Sequence, residues 1–481
     1  MNTNQIFESV DNRTSMLEDI NAYIWDNPEL GFMETKSIVP LIEALKKEGF
    51  SIEEKVAGIP TAFVGTWGSG RPIIGLLAEF DALPVLSQKA SCATKEEVEK
   101  GGNGHGCGHC AIATGTLGAA LAIKDYLERN KLSGTVKYYG CPGEEYGSGK
   151  AFMARDGVFD DDDCCLTWHP NDFNAMMSFG TLSNKRYQFQ FKGRAAHAAS
   201  VPHLGRSALD ACELMNVGVN YMREHMIPEA RIHYAYVNAG GPAANIVHDF
   251  AELSYTVRSP KMKETLELAE RVKKVAKGAA LMTETELTII EKEGMSDTMP
   301  MESLDKLMYE SLVEVGPPQY DEEDYKLAQL FREDMSEDEK LGNYVRMTSF
   351  LGINNKEEAI EISKKGLPDS YPPFNYNPDY YLMGSTDVGD VSYVVPTTGF
   401  MLASWAIGVL AHSWKATALS NSSINTKAIV CAAKAMALTA IKVYENPKLA
   451  EEMKAEHKRR IPDGYVCPIS KDFKPYDARE F

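Results

Sequence analysis

Residues 72–78, PIIGLLA, and 104–140, GHGCGHCAIATGTLGAALAIKDYLERNKLSGTVKYYG, decide the fold. The first run is continuously apolar, as suits a strand covered by helices on both faces of a parallel sheet. Within the second, Ala111–Tyr126 is small and apolar and reads as a buried helix. Gly134–Gly140 then reads as the next strand. Strand, helix and strand in succession imply an α/β sheet.

Upstream, the chain to about residue 50 reads helical, with Ile6, Val10, Met16 and Ile20, then Ile38, Ile42 and Leu45, at loosely helical spacing. A further strand is expected over Thr61–Trp67. The texture changes near residue 185. Arg186–Lys192 (RYQFQFK) alternates polar and apolar, the period of a half-exposed strand. A helix over Ser207–Arg223, strands over Arg231–Val237 and Phe250–Val257, a charged helix over Met262–Lys277 and a strand over Glu284–Glu291 follow. That order, β-α-β-β-α-β, is ferredoxin-like. The expected architecture is therefore α/β: a catalytic domain with a mixed or parallel sheet over 1–184 and 297–481, interrupted by a ferredoxin-like α+β domain over 185–296. Residues 318–383, acidic and rich in Pro and Tyr, are expected to form a long surface excursion, either lining the substrate pocket or covering the surface. Ser423–Val443 is expected to pack on the sheet as a helix.

The 481 residues carry 50 Lys and Arg against 68 Asp and Glu, a net charge of −18. This argues against nucleic acid or an anionic membrane as a partner. The start is polar and no apolar run reaches transmembrane length, so neither a leader nor a spanning helix is expected. Nine cysteines at irregular spacing fit a reducing, cytoplasmic setting better than a disulfide framework.

Chemistry concentrates where strands end. In Gly104–His109 a Cys and a His two residues apart can face one ion, although a glycine turn with incidental polar side chains looks the same. Pro142-Gly143-Glu144-Glu145 follows the Gly134–Gly140 strand, where open α/β sheets bind ligands. One carboxylate there could hold a metal while its neighbour takes a proton from water. Trp168-His169 lies at another strand end, and the carboxylates of Glu79–Pro84 (EFDALP) could orient a ligating His. Together Cys107, His109, Glu145 and His169 offer S, N and O donors that suit Zn²⁺ or Mn²⁺ better than Ca²⁺ or Mg²⁺. A free Glu beside such ions is the layout for metal-assisted hydrolysis.

With these motifs in order, the chain resembles the M20 metallopeptidase and amidohydrolase family. The likeness runs through Asn27–Phe32, Glu79–Pro84, His105–His109, Pro142–Glu145, Trp168-His169, Gly193–His197, Gly240–Asn245 and Gly384–Asp387. The resemblance implies two divalent ions per subunit, Mn²⁺ or Zn²⁺. Their ligands would be Cys107, His109, Glu145, His169 and His412, the last found by the likeness and not by spacing. Glu144 would be the general base and Asp81 the carboxylate behind the metals. The inserted domain would be a lid and homodimer surface, with His197 reaching a neighbouring subunit's site to stabilise the oxyanion. Asn245 and Arg258 would hold a substrate carboxylate, Arg258 being equally readable as half of a surface salt bridge. One departure stands out: Cys110 replaces an acidic residue that one branch of the family has after Cys-Gly-His. The activity implied is hydrolysis of an N-acyl or N-aroyl amino acid such as aminobenzoyl-glutamate, with a sister subunit possible. The rivals are a metallo-dipeptidase, a deacylase of another conjugate, and a non-catalytic binding protein of the same fold.

Overall fold

The three strands expected over 61–67, 72–78 and 134–140 lie side by side in a seven-stranded mixed sheet of the structure, a computed structural model that describes residues 2–346, 348, 353 and 355–475. Its order is Ser51–Glu54, Phe63–Ser69, Gly134–Gly140, Ile73–Ala78, Cys164–Asn171, Thr397–Ala403, Ala175–Met176. The strands from Gly134–Gly140 through Thr397–Ala403 run parallel, and antiparallel strands close both edges. Ile73–Ala78, in the middle of the sheet, is apolar throughout and almost wholly buried, as suits a strand covered by helices. The helix His109–Asn130 is buried continuously from His109 to Ile123 and crosses three of these strands. Its small residues permit close approach: a Cβ on Gly118 would lie 2.9 Å from the Ala433 Cβ.

That neighbour belongs to the helix Ser423–Glu445, which by length and hydropathy could cross a membrane. Lys427, Lys434 and Lys442 interrupt it, so it is not an unbroken apolar run. Its most apolar window is 78% buried inside the fold, so its composition is accounted for by the core it fills.

The described residues divide into two units. The sheet and its helices form the first, Met1–Gly180, Met299–Tyr380 and Val391–Tyr465. Thr181–Thr298, Tyr381–Asp390 and Val466–Phe481 form the second. Its sheet has the order Arg231–Asn238, Phe250–Ser259, Ser183–Lys192, Glu286–Met295, all antiparallel, with the helices Ala208–Met222 and Met262–Thr283 packed against it. This is the ferredoxin-like order. The alternation read in RYQFQFK is real: Tyr187, Phe189 and Phe191 are buried among Tyr255, Leu268 and Val272.

The 318–383 stretch is more structured than expected. Its helices Glu322–Arg332 and Glu337–Lys340 each start with a capping box, and Ala328 and Phe331 pack with Trp405, Ala406 and Leu419. The acidic surface hides this short apolar face, so it serves as a packed layer of the first unit. Residues 347, 349–352 and 354 of this stretch lie outside the described residues.

One buried carboxyl makes stability depend on pH. Asp305, on the helix Glu302–Val315, accepts a hydrogen bond from Thr398 Oγ1 at 2.6 Å. Burial pushes its pKa from 3.8 up to about 7 in spite of that bond. The folded chain thus binds this proton more tightly than the unfolded chain does. The stability so gained is complete in acid and is lost as pH rises through about 7. In urea unfolding, Asp305→Asn is expected to gain on the wild type between about pH 5 and about pH 8. Parallel pH profiles for the two proteins would contradict this.

Candidate metal centre

The loop before the helix His109–Asn130 is shaped by Gly108, at φ +74, where a Cβ would lie 2.9 Å from Pro170 Cγ. The turn brings Cys107 and His109 onto the carboxyl ends of the parallel strands. Asp81 follows the strand Ile73–Ala78, Glu144 and Glu145 follow Gly134–Gly140, and His169 lies in Cys164–Asn171. His412 arrives from the far end of the chain. Its backbone N–H donates to Gly106 O at 2.8 Å, and its φ of 59 is left-handed. Such backbone strain in a non-glycine residue is tolerated only where the surroundings hold it, commonly at functional sites.

These side chains form overlapping groups. Ligand atoms of Cys107, His109 and His169 lie within 4.8 Å of one another, as do those of Cys107, Glu145 and His412. Cys107 is common to both. A third group joins Glu79, His109 and Glu144. The outer hydrogen bonds set the ring orientations. His109 Nδ1 donates to Asp81 Oδ1 at 2.8 Å and His169 Nδ1 to the Pro170 carbonyl at 2.6 Å, which leaves both Nε2 atoms for an ion. Asp81 Oδ2 accepts the Glu145 N–H at 2.9 Å, so one carboxylate orients two of the candidate ligands.

Electrostatics point the same way. Burial alone would raise the Cys107 thiol, but His169 and His109 hold it well below its ordinary value. Burial would lower His109, yet Asp81 and Cys107 raise it well above 6.5. His412 is pushed up to about 11 by Cys107 and Glu145 beside it. A site that draws protons onto its histidines is short of positive charge. Two buried atoms also lack a well-formed hydrogen bond: His109 Nε2 has only Glu79 Oε2 at 3.4 Å, and Glu145 Oε1 only the ion-pair contact with His412 Nε2 at 3.2 Å. Divalent ions would meet both deficits, so this donor set fits the metals the sequence suggested.

Sequence reading missed Glu34 and Lys150. Glu34 is buried, and burial followed by the nearby Asp81 pushes its carboxyl to about 8. Glu34 accepts the Gly143 N–H at 2.9 Å and Thr61 Oγ1 at 2.7 Å, bracing the turn that carries Glu144 and Glu145. Lys150 is wholly buried, with Nζ 2.6 Å from Glu79 Oε1. Its only sequence signal is a lysine in GSGK shortly after the paired glutamates. Cys110 is buried, with its thiol raised to about 12 by desolvation.

The remaining candidates lie in the second unit. His197 and Asn245 are neighbours: the ribbon pairs His197 with Ile246, and Ala198 N–H donates to Asn245 O at 3.0 Å. His197 is exposed, and its Nδ1 accepts from the N–H groups of Ala199 and Ser200 at 3.2 and 3.1 Å. That fixes the tautomer with a free Nε2–H donor. Arg258 is half-buried, and its Nη1 donates to Ser385 Oγ at 2.6 Å, within the Gly384–Asp387 motif.

Comparison with known proteins adds to this geometry. Residues 75–363 match peptidase family M20/M25/M40. The chain is 41% identical to one of the subunits of the p-aminobenzoyl-glutamate hydrolase of Escherichia coli (strain K12), over 95% of each chain. It is 27% identical to the Xaa-Arg dipeptidase of Mus musculus, over 95% of this chain and 92% of the other. A solved aminobenzoyl-glutamate utilization protein from Klebsiella pneumoniae shares the fold, with a TM-score of 0.59 at 16% identity over 88% of this chain and 97% of that one.

Proposed function

Given that the chain belongs to peptidase family M20/M25/M40 and is an amide-bond hydrolase, we propose that it cleaves an N-acyl or N-aroyl amino acid, aminobenzoyl-glutamate first among them. The observation that carries this is the pair of donor trios sharing Cys107, with Glu144 beside them. On this reading Cys107, His109 and His169 would hold one divalent ion and Cys107, Glu145 and His412 would hold a second, either Mn²⁺ or Zn²⁺. Such ions, when bound, polarise a carbonyl and make water acidic enough to attack near neutral pH.

The protein's own groups do the rest. Glu144 accepts the proton of the attacking water and returns it to the leaving amine. Asp81 keeps His109 in one tautomer. His197, donating through Nε2–H, stabilises the oxyanion in a neighbouring copy, which makes the functional unit a homodimer. Exposed apolar side chains on the second unit support that: Tyr234, Tyr236 and Val237 on its edge strand, and Leu214, Val217 and Tyr221 on a helix. Asn245 and Arg258 hold the carboxylate of the amino-acid half. The Escherichia coli relative is one subunit of its hydrolase, which leaves room for a sister subunit here. Nine free cysteines fit a cytoplasmic setting.

The test is release of free amino acid from a panel of aminobenzoyl-glutamate, other N-acyl amino acids and dipeptides, by protein loaded with Mn²⁺ or Zn²⁺. Metal-dependent release led by aminobenzoyl-glutamate is expected. Preference for dipeptides would move the reading toward the dipeptidase. Metal retention without any release would favour the binding-protein rival.

A further inference from the structure

The most unusual group near the metal centre is a cation. The Lys150 side chain is 0% exposed, and its ammonium lies 2.6 Å from Glu79 Oε1. Glu79 is itself 4% exposed, and its other oxygen stands 3.4 Å from His109 Nε2. Glu79, His109 and Glu144 share one cluster, so this ion pair borders the place where the base works. Burying a bare ammonium costs several kcal/mol unless anions around it repay the lost hydration.

The local charges show why it is there. On the two-ion reading, Glu79, Asp81, Glu144, Glu145 and a Cys107 thiolate would carry one more negative charge than two divalent ions neutralise. Lys150 supplies the missing positive charge. The contact also occupies one oxygen of Glu79 and leaves only the other facing His109.

We propose that Lys150 is a positioning residue of the metal centre: it balances the charge of the buried carboxylates and holds Glu79 in an ion pair, so that Glu79 does not collapse onto the ions. The proposal rests on the two-ion reading above. Removing Lys150 leaves Glu79 as an excess anion beside the metals, so ions bind more tightly. Removing the Glu79 charge leaves Lys150 in excess, so they bind more weakly. Removing both restores the balance.

The experiment measures Mn²⁺ retained by the full-length, Mn²⁺-loaded protein against a graded chelator, for wild type, Lys150→Met, Glu79→Gln and the double variant. Lys150→Met is expected to hold Mn²⁺ about tenfold tighter, Glu79→Gln about tenfold weaker, and the double variant within about twofold of wild type. If Lys150→Met fails to fold, Lys150→Gln is measured in its place, with the same tightening expected and the same rescue by Glu79→Gln. Retention equal to wild type in the single variants, or no rescue in the double, overturns the proposal and leaves the two-ion reading standing. Wild-type protein that holds no Mn²⁺ overturns both.

Discussion

Replacing Glu144 with Gln is expected to lower kcat by about 10²–10⁴-fold while leaving bound metal unchanged. Gln keeps the size and a carbonyl oxygen but cannot take a proton from water. Glu144 lies outside the two trios built on Cys107, so its loss should not release ions held there. KM is expected to move little, since the proposed role is on the attacking water and not on the bound amide. Metal content by elemental analysis and steady-state kinetics on the same preparation check this. Loss of metal together with activity would make Glu144 a ligand, and unchanged kcat would remove it from the mechanism.

The other large effect is expected at Cys107. Cys107→Ala deletes the donor common to both trios. Losing an outer hydrogen-bond partner of a ligand typically costs 10–100-fold in metal affinity, so losing a shared ligand is expected to cost more than roughly 100-fold. Turnover should vanish with the ions. His169→Ala, which cuts into one trio only, should strip one ion and spare the other. Elemental analysis after gel filtration distinguishes the cases. A Cys107→Ala protein that keeps both ions would show that the thiol merely neighbours the site.

The fold was legible because its strands declare themselves. PIIGLLA is apolar without a break because its strand lies buried in the middle of the sheet against the helix His109–Asn130, and RYQFQFK alternates because Tyr187, Phe189 and Phe191 enter the core while Gln188 and Gln190 stay half-buried. The packed face in residues 318–383 was not legible, since Ala328 and Phe331 are a small part of a strongly acidic helix. The site divides in the same manner. Cys107, His109, Glu144 and Glu145 sit in short motifs at strand ends, where ligands bind. His412 comes from some 300 residues downstream and is tied in by a backbone bond to Gly106, so spacing carries no trace of it and only family likeness found it. Glu34 and Lys150 are hidden for a different reason. A Glu or Lys is usually solvated, and only burial shows that one is a braced acid and the other a counter-charge.

The central claim is that two ions share Cys107, each completed by its own trio. Anomalous diffraction from Mn²⁺-loaded crystals tests it directly. The expected map has two peaks within bonding distance of Cys107 Sγ, one beside His109 and His169 and the other beside Glu145 and His412. A single peak, or two peaks that do not share Cys107, would contradict the account.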